Sequence, residues 1–205
     1  MPRYPYDPAR AKVLLRQAGF APGPDGILTN DAGQRLTLEF HTTAGNVVRE
    51  QTQRIIQQQL REVGIEILIE NFPARVFFSE IMHRRRFKAM GMFTWIFGPA
   101  DGCGEWFTLG AVPSEANGWT GFNYPGYQNP EMDRLCREAE EELDESRRMA
   151  LLRQTAVLFA RDLPALPLYY PAVRPVVAKI GLENFTAYPL ESGFEAWNIH
   201  TWRWR

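Results

Sequence analysis

Two cysteines and three histidines are all that a 205-residue chain offers for soft metal ligation or thiol chemistry. Cys103 and Cys136 do not form a Cys-x-x-Cys pair, and His41, His83 and His200 lie far apart without ligand spacing. No zinc motif follows from this pattern, and no metal site or cofactor is expected. Spacing alone neither requires nor excludes a disulfide between the two cysteines. Excess charge of either sign is also lacking. A net charge of −1 gives no electrostatic reason to expect a nucleic-acid partner or an acidic membrane surface. The one dense basic run, His83 to Arg86, closes a helical pattern, where cations suit the helix dipole. No apolar run approaches transmembrane length, and no signal peptide opens the chain. The start, MPRYPYDP, reads as an initiator Met set on an internal segment, so the missing signal says little about compartment.

An apolar share of 45% supports a core of ordinary size. Asp7-Pro8 opens a helix whose apolar face is Ala11, Leu14, Leu15 and Ala18, and Gly19 ends it. Ile27 to Thr29 and Leu36 to Phe40 read as two strands around a Gly-containing turn. Asn46 begins a long helix with Val48, Thr52, Ile55, Ile56, Leu60 and Val63 at helical spacing, and Gln57 to Gln59 largely on the wet side. Ile65, Ile67 and Ile69 then alternate with Glu66, Leu68 and Glu70, as in a half-buried strand. Pro73 starts another helix, and Phe87 to Trp95 is the next strand. This alternation predicts an α/β fold with helices covering a mixed sheet.

Residues 97–128 differ: glycines and prolines punctuate them, and Trp106, Phe107, Trp119, Phe122, Tyr124 and Tyr127 lie between. A long loop of this kind is functional or disordered, and its aromatic load argues against disorder. It is the best candidate site in the chain. Asn129-Pro130 then caps a helix with Met132, Leu135, Cys136, Ala139 and Leu143 on its buried stripe, which makes Cys136 a core residue. Asp144 caps a second helix with Met149, Leu152, Ala156 and Phe159 inside, and the two form a hairpin. Pro164 to Tyr170 and Pro175 to Ile180 read as extended, and the tail from Gly181 has aromatics but little periodicity.

Four segments carry a family resemblance. Tyr6 to Phe20, YDPARAKVLLRQAGF, resembles a helix written YDPxxAxxLLxxAGY; Gln57 to Ile67 resembles a helix-to-strand step, xxQLxxxGIxVxI. Asn123 to Leu135, NYPGYQNPEMDRL, resembles NYxGYxNPxVDxLL, and Leu163 to Tyr170 resembles xxPxxPLYY. In order and spacing these resemble the dipeptide- and oligopeptide-binding proteins, the extracytoplasmic solute-binding proteins of ABC importers. The resemblance implies the second, C-terminal lobe of a periplasmic-binding-protein-like type II fold. Residues 1–170 would be the inserted α/β ligand-binding lobe, and residues 171–205 would return to a first lobe that is missing here. It implies a solute, an oligopeptide among them, as ligand, an ABC permease at the membrane as partner, and a periplasmic or extracytoplasmic location.

In such peptide binders the cleft loop resembles W-x-x-D-Y-x-D-P, and its first Asp receives the peptide's amino terminus. Here Trp95 matches the Trp, Gly98 stands at the first Asp, Asp101 at the second and Gly102 at the Pro. Asp101 or Glu105 takes over the ammonium, or the ligand has no amine there. Trp95, Phe97, Trp106 and Trp119 are flat apolar walls for a pocket, and Asp101, Asn117 and Asn123 its directional polar groups. Two other classes remain to be weighed. An enzyme would use Asp101 and Glu105 as an acid/base pair, but no nearby His, nucleophile elbow or metal cluster supports it. A protein-interaction module would need an exposed apolar face.

Overall fold

The computed structural model describes residues 2–95, 102–169, 179–186, 196 and 198–205. They divide into Met1–Phe93 with Gly102–Ala165, and Thr94–Asp101 with Leu166–Arg205. In the first unit, short polar residues start the helices where the sequence places them. Asp7 accepts from the Arg10 amide at 2.8 Å and starts α1 (Pro8–Gln17). Asn46 accepts from the Arg49 amide at 3.1 Å and starts α2 (Val47–Glu62). α1 buries no residue completely, and Leu14 on its expected apolar face is exposed.

β1 (Ala21–Pro22) and β2 (Leu28–Thr29) form a short antiparallel ladder. The turn after β2 is tight, with the Asn30 side chain accepting from the amides of Ala32 and Gln34. The hairpin expected from that turn is reduced to a single bridge, Thr29 to Arg35. The next strand, β3 (Thr37–His41), goes elsewhere. It lies at the centre of a three-stranded sheet, paired in parallel with β4 (Glu66–Ile69) and β5 (Met90–Gly91). The antiparallel component therefore lies outside this sheet. Burial explains the switch, because Phe40 and Ile67 meet Met92 in one core cluster, with Leu38, Ile56, Leu60, Ile65, Ile69 and Met90 packed around it.

Parallel strands need crossovers, and α2 supplies the first. Its inward face differs from the expected one. Val48 and Ile55 point outward, while Gln53 is fully buried. Its amide donates to the Phe40 carbonyl at 2.9 Å and to Asn71 Oδ1 at 3.0 Å, and Asn71 returns a bond to Gln53 Oε1 at 3.0 Å. Gln57, expected on the wet side, is half-buried and donates to the Ile67 carbonyl at 2.8 Å. A helical period shows which positions recur, but not that an amide on one of them will satisfy a strand carbonyl. Gly64 ends α2 at φ +90°, where a Cβ would lie 2.6 Å from Leu28 Cγ. The second crossover starts at Pro73 as α3 (Ala74–Val76) and widens into a π-helical stretch, Phe77–Met82, that buries Phe77 and Met82.

α4 (Gly104–Phe107) precedes a helical hairpin, α5 (Pro130–Glu141) and α6 (Glu145–Asp162), capped by Asn129 and Asp144. Met132, Leu135, Cys136 and Leu158 form its core, with Leu151 and Phe159 against it. Ala139 is buried as expected, but Leu143 is 93% exposed because it falls in the turn between the helices. On α6 the buried positions are Thr155 and Leu158, whereas Met149 and Ala156 face outward. In the second unit, β6 (Leu182–Glu183) pairs antiparallel with β7 (Arg203–Trp204). Asn198 ties this pair together, donating to the Asn184 carbonyl at 2.7 Å and accepting from Trp202 Nε1 at 2.7 Å. The extended reading of Pro175 to Ile180 falls mostly outside the described residues.

Removing the buried Gln53 amide leaves the Phe40 carbonyl and Asn71 unsatisfied beside a cavity. Gln53→Ala should lower unfolding free energy by about 3 kcal/mol. Val48→Ala, on the exposed face, should change it by less than about 0.5 kcal/mol. Urea unfolding of both variants checks the contrast.

Candidate functional site

The long glycine- and aromatic-rich loop is ordered by α5. Cys103 and Cys136 form a disulfide across 33 residues of sequence, and Cys136 is also fully buried in the helical core. Closing a loop of that length is worth about 4 kcal/mol in the chain-entropy picture. Two carboxylates of α5 hold the loop backbone: Glu140 accepts from the Gly104 amide at 3.0 Å, and Asp133 from the Leu109 amide at 2.9 Å. Gly121 sits at φ +89°, and a Cβ there would lie 2.2 Å from the Ala111 carbonyl oxygen. Only glycine lets the two backbones approach that closely.

Asn123 is fully buried, and both ends of its amide serve the loop. Nδ2 donates to the Thr108 and Tyr127 carbonyls, each at 2.8 Å, and Oδ1 accepts from the Tyr127 amide at 2.9 Å. Asp162, at the end of α6, accepts from Arg161 Nε at 2.7 Å, the Tyr127 hydroxyl at 2.7 Å and Asn129 Nδ2 at 2.8 Å. Arg161 first, then Tyr127 and Asn129, hold its carboxyl well below the usual carboxylate range. Burial, and then Asp162, push the Tyr127 phenol up to about 12.

The residues singled out from sequence have different fates. Phe97 and Asp101 lie outside the described residues. Trp95 is half-buried in the second unit. Trp106 is buried and stacks on Phe122, with ring centroids 4.6 Å apart. Trp119 is half-buried at φ +64°, with the Arg84 guanidinium 4.7 Å from its ring centroid. Asn117 caps a short turn, accepting from the Ser114 amide and donating to the Val112 carbonyl. Within the first unit Trp106, through Phe122, and Asn123, through the Thr108 and Tyr127 backbone, each hold the loop in shape. The Asn123 amide is bonded to loop backbone at both its nitrogen and its oxygen.

The same loop and α5 enclose an open recess of about 730 Å³. Glu105, Thr108 and Phe122 line it from the loop, and Asp133, Arg137 and Glu140 from the helix. Among the described lining residues, three acids face one guanidinium. The helix contribution was not singled out from sequence. Its signal was available, since positions 133, 137 and 140 recur on one helical face.

The Asp162 cluster sets a pH dependence. A carboxyl lowered in the folded state contributes stability above its unfolded pKa of about 3.9, and that contribution is lost as pH falls through the folded value. Asp162→Asn should therefore be less stable than the parent at pH 7, and the difference should shrink towards pH 3. Urea unfolding at both pH values reads this.

Comparison with known proteins places the chain. Residues 1–110 match the family described as bacterial extracellular solute-binding proteins, family 5 middle. The chain is 27% identical over 209 residues to the oligopeptide-binding protein AppA of Bacillus subtilis (strain 168), covering 98% of the chain and 35% of AppA. It is 30% identical over 172 residues to di/tripeptide-binding protein 2 of Pseudomonas aeruginosa (strain UCBPP-PA14), covering 82% of the chain and 29% of that protein. Among solved structures, the oligopeptide-binding protein of Thermus thermophilus, complexed with a pentapeptide, superposes with a TM-score of 0.84 at 35% identity. That match covers 100% of the chain and 36% of the other protein. The chain spans about a third of the length of these relatives, and it belongs to family 5 of the bacterial extracellular solute-binding proteins.

Proposed function

We propose that the chain is one lobe of a solute-binding protein of an ABC importer, and that it forms half of a cleft for a peptide or a related small molecule. Residues 1–170 are the ligand-binding lobe, and residues 171–205 return to a first lobe. The loaded protein delivers its solute to a membrane permease from the periplasmic or extracytoplasmic side, and binds without catalysing a reaction. One observation carries this reading: the whole chain matches 36% of a protein solved with a pentapeptide, at 35% identity. Among the described residues no helix is long and apolar enough to cross a membrane.

The ligand residues in this reading are Trp95 and Phe97 as apolar walls and Asp101 as the acid. Glu105 is exposed on the recess and is the second carboxylate available to an ammonium group. Trp106, Trp119 and Asn123 keep the loop that follows Asp101 in shape. Gly98 leaves a gap where related peptide binders place an acid, so the amine is received a few residues further on or is absent from the solute. A desolvated ammonium without a carboxylate would forfeit several kcal/mol, roughly, which makes the choice of acid decisive for ligand class.

In the two-lobed protein, Trp95→Ala and Asp101→Asn should each weaken peptide binding at least about tenfold, a loss on the order of 1.4 kcal/mol. The thermal midpoint should stay within about 2 °C of the parent. Calorimetric titration with a mixture of short peptides measures the first, and a thermal scan the second. Unchanged affinity in both variants would remove this stretch from the site.

A further inference from the structure

We infer that Glu39, His41 and Glu70 form a binding site for one divalent transition-metal ion, best matched by Zn²⁺, at the C-terminal ends of β3 and β4. One donor atom from each of the three side chains lies within 4.8 Å of the other two. All three belong to the first unit.

His41 carries the argument. Its side chain is 3% exposed, and Nδ1 lies 2.8 Å from the Glu70 backbone carbonyl. A carbonyl only accepts, so Nδ1 bears the proton in that bond. This fixes the ring and leaves Nε2 facing Glu39 Oε2 at 3.4 Å. Nε2 and the Glu39 carboxylate thus converge as two donor atoms that one cation can bridge. Two ligands of a tetrahedral zinc ion, each about 2.0–2.1 Å from the metal, stand about 3.4 Å apart. A histidine whose other nitrogen is held by a backbone carbonyl is also the usual second-shell arrangement of a metal-bound imidazole. Glu70 adds an exposed carboxylate from the end of β4, and water completes the fourth position.

Lys88 competes for the same group, with Nζ 2.6 Å from Glu39 Oε1. Its side chain is 76% exposed, so an exposed ion pair of this kind yields readily to a divalent ion. Thiolates offer no rival site, because both cysteines are in the disulfide. The site ties together the outer ends of two core strands and lies apart from the candidate ligand loop in sequence.

The test uses the 205-residue chain, stripped with EDTA and titrated with Zn²⁺ against a chromogenic chelator, with thermal midpoint as a second readout. One equivalent should bind, and at a hundredfold excess over Kd the midpoint should rise by about 5 °C or more. Glu70→Gln, at an exposed position, should weaken binding about tenfold or more without changing the metal-free midpoint. Lys88→Gln should tighten it by about two- to fivefold. Co²⁺ should give a visible d–d band in the parent chain that Glu70→Gln diminishes. Absence of saturable binding, with a proton alone bridging His41 and Glu39, overturns the inference. So does weak, multi-equivalent binding that is indifferent to Glu70 and Lys88, which marks adventitious surface ions.

Discussion

The sheet portion of the first unit, Met1–Phe93, depends on β3 being paired in parallel on both edges. A strand in that position must be reached and left by crossovers, which is why α2 and the α3 stretch lie between the strands. It must also be buried, which is why Phe40 and Ile67 share a core with Met92. Parallel pairing gives the three strands a common direction, so their C-terminal ends emerge together. His41 and Glu70 sit at two of those ends, and from the third the chain runs on through Met92 and Phe93 to Trp95. Ligands of open α/β sheets bind outside such ends. Gln53 secures the arrangement by joining the crossover helix to the Phe40 carbonyl and to Asn71 beyond β4.

The glycine-rich loop is a second, separate construction, with its own fasteners. A disulfide, two α5 carboxylates and the Asn123 amide replace the regular hydrogen bonding that a loop lacks. The aromatic residues are largely committed to this task, with Trp106 stacked on Phe122 and Trp119 under Arg84. What the loop leaves open is an acidic recess with one guanidinium, a surface of directional polar groups over a small apolar floor. That division suits a binding protein: folding has already ordered the walls, so a ligand need not order them.

Much of the architecture was legible because the signals were local. Asp7, Asn46, Asn129 and Asp144 marked the helix starts, and the isoleucines of β4 marked the strand by their alternation. The errors came where tertiary partners decide. Gln57 reads as a wet-side position, yet the Ile67 carbonyl claims its amide, and Leu143 reads as a stripe residue although the helix has already ended. The turn at Asn30 promised a hairpin, but the strand beyond it had stronger partners in β4 and β5. In the candidate loop, sequence shows the residue types but not the bonds they make. Asn123 has the chemistry of a ligand group, and only its surroundings show the amide already satisfied. His41 and Glu70 lie 29 residues apart, so no spacing rule could join them, and parallel pairing does.

The central claim is that this chain carries half of a cleft whose other half lies on a second lobe. Calorimetric titration of an oligopeptide into the 205-residue chain and into the two-lobed protein tests it most directly. The account predicts saturable binding by the two-lobed protein and binding at least about a hundredfold weaker by the chain alone, a loss on the order of 2.7 kcal/mol. Equal affinity in both would contradict it, because the site would then be complete within this lobe.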